Sequence, residues 1–166
     1  MPFVVERDGR RFWFGDMYVA NALNAMIPEL EQRSQPGDRL IVGPADLSRT
    51  IYSDVSVYYL FPELEPGTQY IEMDPGLADR EGSGLAQEIA QADFLVLTNI
   101  WTGWHEPNAS DHHLSQEANQ AVARMLSRKE ATQEAPQDTG ETPGDAWRWL
   151  AWAGISAADL AAEAVE

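Results

Sequence analysis

Apolar residues along this chain fall into two rhythms, short continuous runs and helically spaced stripes, and the two alternate. The runs Leu40-Ile41-Val42, Tyr70-Ile71-Glu72-Met73 and Phe94-Leu95-Val96-Leu97 each break at a turn. Those turns are Gly43-Pro44-Ala45-Asp46, Asp74-Pro75-Gly76 and Thr98-Asn99. With helical segments between them, the runs predict three parallel core strands. Ahead of them, Phe3-Val4-Val5-Glu6 and Arg11-Phe12-Trp13-Phe14 flank Arg7-Asp8-Gly9-Arg10. An Asp-Gly pair between aromatic and β-branched runs predicts a hairpin. The expected fold is α/β: a small open Rossmann-like sheet with three parallel core strands plus an N-terminal β-hairpin, and helices on both faces.

Asp16 is placed to cap a helix with Val19, Ala20, Leu23, Met26, Ile27 and Leu30 on one stripe. Pro28 lies inside that run and is expected to kink or restart it, because it has no N–H to donate to residue 24. Pro36-Gly37-Asp38 then turns the chain into the first core strand. The segment from Ser48 to Phe61 suits a strand by composition. It also suits a helix capped by Ser53-Asp54 and ended by Pro62. A helix is the choice made here, since parallel strands need a crossover. Ser83 is expected to cap a helix with Leu85, Ile89 and Ala92 inward. Leu114, Ala118, Val122, Met125 and Leu126 predict another over 115–127. Residues 101–111, rich in Trp, Gly, Pro and Asn, read as loop.

Composition changes at Arg128. Residues 129–145 read KEATQEAPQDTGETPGD, an acidic disordered linker. Residues 146–166 form an Ala-rich tail with Trp147, Trp149 and Trp152, broken at Gly154 and restarted by a capping box at Ser156. The expected organisation is therefore an α/β domain over 1–128, the linker, and a helical tail.

Charge narrows the function. The 166 residues carry 11 basic and 27 acidic side chains, a formal net charge of −16. That argues against a general nucleic-acid binder and against docking on anionic headgroups. Cysteine is absent, which removes disulfides, thiolate metal sites and cysteine nucleophiles. No apolar run approaches the ~20 residues that span a bilayer. The N-terminus lacks the basic and apolar regions of a signal peptide. The reading is a soluble chain without an export address.

Ligands of parallel sheets bind where strand ends meet loops. Asp46, Arg49, Asp74 and Asn99 are thus the candidate ligand-binding set for a sugar, phosphate or metal. Each equally well caps a helix or closes a turn. Trp104, with Trp101, would stack a sugar ring or cover the core. Glu72 and Asp74 form a possible acid-base pair, and a buried Glu72 would need Arg39 or Arg49 as partner. Asp111-His112-His113, with His105 and Glu106, lacks the i, i+4 spacing of a zinc helix. Gly82-Ser83-Gly84 fits neither phosphate-binding motif and reads as the start of a helix. Asn108-Ala109-Ser110 has the form of a glycosylation sequon. These residues name no catalytic set, and no cofactor or metal is expected.

From Gly37 to Ser110 the sequence resembles the C-terminal soluble region of actinobacterial multi-spanning membrane proteins, glycosyltransferase-like and of the polyprenol-phosphate-sugar-dependent type. The stretches that carry this are Gly43-Pro44-Ala45-Asp46-Leu47, Tyr58-Tyr59-Leu60-Phe61-Pro62-Glu63-Leu64, Glu72-Met73-Asp74-Pro75-Gly76 and Trp104-His105-Glu106-Pro107-Asn108. The similarity extends from about Phe12 to Val122. It implies an α/β fold, a cell-envelope context on the extracytoplasmic face, and a membrane glycosyltransferase or envelope glycan as partner. It implies no catalytic residue, because the family's catalytic acids lie in loops between spans. The family's region also tends to close with an aromatic strand pair, where this chain has its acidic linker. The resemblance implies a non-catalytic accessory domain. Two alternatives stand beside it: an interaction module docking through the Trp-rich tail, and a small enzyme acting on a sugar or nucleotide-sugar at the strand ends.

Overall fold

A computed structural model describes residues 2–100 and 115–133. Among these residues five strands and four helices follow in the order β1 (Phe3–Arg7), β2 (Arg10–Phe14), α1 (Met17–Arg33), β3 (Arg39–Pro44), α2 (Ser56–Leu60), β4 (Glu65–Pro66), α3 (Leu85–Gln91), β5 (Phe94–Thr98) and α4 (Glu117–Gln133). β1 and β2 form the antiparallel hairpin. Its turn residues Asp8 and Gly9 both have positive φ, at 49° and 76°, as a type I′ turn requires. β3, β4 and β5 form a parallel sheet in the order β4-β3-β5.

One expected strand is elsewhere. Residues 70–73 are not a strand; the third parallel strand is the two-residue β4, where Arg39 faces Glu65 and Leu40 faces Pro66. Pro66 has no N–H and so suits a short edge strand. Next to it, the Gly67 N–H donates to the Leu40 carbonyl at 2.7 Å. A Cβ on Gly67 would lie 2.7 Å from Ile41 Cγ1, so only glycine lets the backbone come this close. Met73 has φ of 54°, which ends any extended run there. Glu72 is consequently exposed rather than buried in a strand. Arg39 bonds instead to Gln91 at 3.1 Å and to the Gly67 carbonyl at 3.3 Å.

α1 starts as its pattern predicts. Asp16 Oδ1 accepts from the Tyr18 and Val19 N–H groups at 2.7 and 3.2 Å. The helix is continuous through Pro28, so the expected restart does not occur. Its buried stripe, Ala20, Leu23, Met26, Ile27 and Leu30, outweighs one missing hydrogen bond on the exposed side. The helix expected over 48–61 is confined to α2; the preceding residues form an extended loop. α3 starts at Gly84, whose φ is 93°, while Ser83 Oγ accepts from the Leu85 N–H. α4 continues to Gln133, five residues into the segment whose composition predicts a disordered linker.

Two cores sandwich the sheet. Leu40, Val42, Phe94 and Val96 face α1, α2 and the hairpin residue Val5. Ile41, Leu95 and Leu97 face α3 and α4. Helices therefore cover both faces, as expected. Arg7 ties the hairpin down: its guanidinium donates to Glu31 at 2.7 Å, to both Glu63 oxygens, and to the Leu60 carbonyl at 2.6 Å. It also stacks 4.0 Å over the Phe61 ring. Arg7 holds the Glu63 carboxyl below its usual range.

Candidate functional site

The sheet places its carboxyl edge where β3 and β5 end, and the Ala45 N–H donates across that edge to the Thr98 carbonyl at 2.8 Å. Asp46 follows. Its Oδ1 accepts from the Ser48 N–H at 3.0 Å, the Ser48 hydroxyl at 2.7 Å and Asn119 Nδ2 at 2.9 Å. Asn119 in turn accepts the buried Leu47 N–H at 2.9 Å. Asp46 thus closes a turn and anchors α4, which is a structural use of its carboxylate. Nothing in the sequence marks Asn119 strongly. Its only signal is a polar residue between Ala118 and Val122 on an otherwise apolar helix stripe.

Arg49 is half-buried in the loop that follows. The adjacent Thr50 donates its N–H to Asp79 Oδ2 at 3.0 Å and its hydroxyl to the Asp74 carbonyl at 3.2 Å. Asp74 participates here through its backbone, which also accepts from Leu77 and Ala78. Beyond Thr50, the Tyr52 and Ser53 N–H groups donate to Met73 and Glu72 at 3.2 and 3.0 Å. Both Tyr52 and Met73 carry positive φ, 76° and 54°. The structure therefore brings Asp46, Arg49 and Asp74 into one loop system beside β3. Asn99 lies apart from it, exposed at the end of β5. Trp104, Trp101, the histidines and the Asn108 sequon lie outside the described residues, as does the segment from 134 to 166.

Two buried acids complete this loop system. Asp79 Oδ1 accepts the Gly76 N–H at 2.9 Å while Oδ2 holds Thr50. Burial raises its pKa, against the pull of those N–H donors. Asp54 Oδ1 accepts from the Ser56 N–H and hydroxyl, but its Oδ2 is buried with no hydrogen-bond partner among the described residues. Burial raises the Asp54 pKa as well, and the Ser56 bonds only partly oppose this. The sequence predicts Asp54 as a helix cap. One of its oxygens does hold the first residue of α2, while the second gains nothing.

Asn99 borders a cleft of about 260 Å³ between α1 and the end of β5. Val19, Ala22, Leu23 and Met26 of α1 form one wall, Val96 and Thr98 the other, with Tyr18, Asn99 and Ile100 completing it. Among the described residues no charged side chain lines it. Tyr18 stands 78% exposed on the first turn of α1, although its position on an amphipathic helix gives no warning of a binding surface. Such a lining accommodates an uncharged apolar group with a hydroxyl or amide at its end. Among the described lining residues the titratable group is the Tyr18 phenol. Asp46, Arg49 and Asp74 do not line it.

Among the described residues no cluster of acidic and histidine side chains is arranged to hold a metal, and no helix is long and apolar enough to cross a membrane. Gly82-Ser83-Gly84 leads into α3, as its motif-poor context predicts, and the Gly82 N–H donates to Glu117 at 3.1 Å. No protein-family model matches this chain, and no curated protein or solved structure matches it either.

Proposed function

We propose that this chain is a non-catalytic accessory domain acting beside a cell-envelope glycosyltransferase, and that the cleft between α1 and β5 is its binding element. The cleft carries the reading. It lies at the carboxyl edge of a parallel sheet, where α/β folds hold ligands, and its described lining is apolar with few polar groups. Its volume exceeds the ~150 Å³ of an engineered cavity that accepts benzene, so one ring or a short branched chain fits. The resemblance of residues 37–110 to the soluble region of membrane glycosyltransferases supports the cellular context. Engagement of Asp46 by Ser48 and Asn119 favours binding over acid-base chemistry.

The test uses cyclohexanol and phenol as probes, followed by amide chemical shifts of the isotope-labelled chain. Shifts should concentrate at Val19, Leu23, Val96 and Asn99. Ala22→Trp, which fills the cleft from its half-buried position, should weaken binding at least tenfold while leaving the thermal midpoint within a few degrees. Dispersed shifts, or equal binding by the variant, would refute the cleft. For the context, a tagged full chain should recover a multi-spanning glycosyltransferase from detergent extracts, and recovery should fall with Ala22→Trp. Measured sugar transfer by the isolated chain would overturn the non-catalytic reading.

A further inference from the structure

β2 is an edge strand. Among the described residues it pairs only with β1, from Phe3 opposite Phe14 to Arg7 opposite Arg10. The turn decides which of its backbone groups face outward. A two-residue loop makes Arg7 and Arg10 a hydrogen-bonded pair, and bonded pairs alternate with unbonded ones along an antiparallel ladder. The unbonded pairs are then Glu6 with Arg11 and Val4 with Trp13, whose N–H and C=O groups turn away from the hairpin. Asn24 fits this phase, since its Nδ2 donates to the Val4 carbonyl at 2.9 Å from outside the hairpin. α1 therefore covers the β1 edge. On the β2 edge, the Arg11 and Trp13 backbones meet no further strand among the described residues. Both side chains stand on the hairpin's outer face, with Trp13 59% exposed. Phe12 and Phe14 point the other way, into the core that α2 shares.

We propose that the β2 edge joins a second copy of this chain about a two-fold axis at Phe12, making one continuous four-stranded antiparallel sheet. An isologous contact must be complementary to itself, and this register is. With Phe12 opposite the partner's Phe12, Arg11 falls opposite the partner's Trp13, and Trp13 opposite the partner's Arg11. These are the outward-turned residues, so each pair exchanges both of its N–H···O bonds. A one-residue shift would set outward groups against inward ones. A two-residue shift would oppose Arg11 to its own copy or carry it past the end of the strand. In the favoured register arginine and indole lie side by side twice on the exposed face, a cation–π pairing. Charge selects a copy as the occupant. The chain carries −16, yet residues 3–14 hold three arginines against two acids, so two copies meet here with least repulsion. A charge on an edge strand ordinarily discourages pairing, but Arg11 is already neutralised by Glu6 at 3.1 Å.

Sedimentation equilibrium of the full chain from about 10 μM to about 1 mM should show a monomer–dimer equilibrium, weak because two strand edges bury a small area. Hydrogen exchange reads the register. The Arg11 and Trp13 amides should slow at least tenfold from the dilute to the concentrated sample, while the Phe12 amide, bonded within the hairpin, should not change. Trp13→Lys sets a lysine opposite the partner's Arg11 and should raise the dissociation constant at least tenfold. Tyr18→Lys adds the same charge on the exposed first turn of α1 and should leave it within twofold. Exchanging the ion pair, Glu6→Arg with Arg11→Glu, keeps the net charge and the bond inside the hairpin. It removes the cation opposite the indole and should weaken association several-fold. A monomer at every concentration overturns the proposal. So does a dimer that protects Phe12 as much as its neighbours, one that Trp13→Lys leaves intact, or one that Tyr18→Lys disrupts equally.

Discussion

Replacing Asp54 with asparagine tests whether a buried, half-satisfied carboxylate burdens this fold at neutral pH. The residue is 8% exposed, Oδ1 is held by Ser56, and Oδ2 has no partner among the described residues. A buried polar atom without a partner costs about 1–3 kcal/mol, and more when it carries charge. The amide would keep the carbonyl that Ser56 needs while removing the charge. The expected gain is about 1–2 kcal/mol at pH 8, a midpoint rise of about 2–8 °C for a chain of this size. The pH dependence has a definite sign. Burial raises the folded-state pKa of Asp54 above the ordinary ~3.9. The contribution of the protonated acid is complete below that ordinary value and is lost as pH climbs through the raised one. The advantage of Asp54→Asn should therefore be small at pH 4.5 and grow toward pH 8, as read by urea unfolding followed through tryptophan fluorescence. Asp79→Asn is the contrasting control. Both Asp79 oxygens accept backbone N–H groups, and an amide can accept only one, so this variant should lose about 1–2 kcal/mol. A pH-independent difference for Asp54→Asn, or a loss of stability, would refute the reasoning.

Two further substitutions probe the sheet. Gly67→Ala places a methyl 2.7 Å from Ile41 Cγ1 and 3.2 Å from the Leu40 carbonyl, and should cost about 1–3 kcal/mol in urea unfolding; a cost below about 0.5 kcal/mol would deny the close approach at β4. Tyr58 accepts the Val42 N–H at 2.9 Å, and burial pushes its phenol up to about 12. Tyr58→Phe strands that N–H and should cost about 1–3 kcal/mol. In ultraviolet titration of the wild type the Tyr58 phenol should ionise in a late step, well above the ordinary tyrosine value of ~10. The stability it lends is complete below the ordinary tyrosine range and disappears as pH rises toward the elevated value. Persistence of the late step in Tyr58→Phe would assign it elsewhere.

What the chain reveals unaided is its local chemistry. The Asp8-Gly9 pair dictates the hairpin because both positions need positive φ, and Asp16 dictates the start of α1 because its carboxylate satisfies two free N–H groups. The runs at 40–42 and 94–97 are legible as core strands because they are apolar without alternation, as a sheet covered on both faces demands. The third strand depends on the approach of two distant segments. Residues 70–73 carry the stronger strand pattern, yet β4 forms at Glu65–Pro66, since Gly67 can close on Leu40 and Ile41 while Met73 is turned by its positive φ. The candidate site divides in the same way. Asp46, Arg49, Asp74 and Asn99 are recognisable as strand-end residues from their place after apolar runs. Only tertiary packing decides that Asp46 serves Asn119, that Asp74 contributes its carbonyl to Thr50, and that Asn99 alone of the four reaches the cleft. Turns are written in a few adjacent residues, whereas a cleft between α1 and β5 exists only once the long intervening stretch of chain has brought the two together.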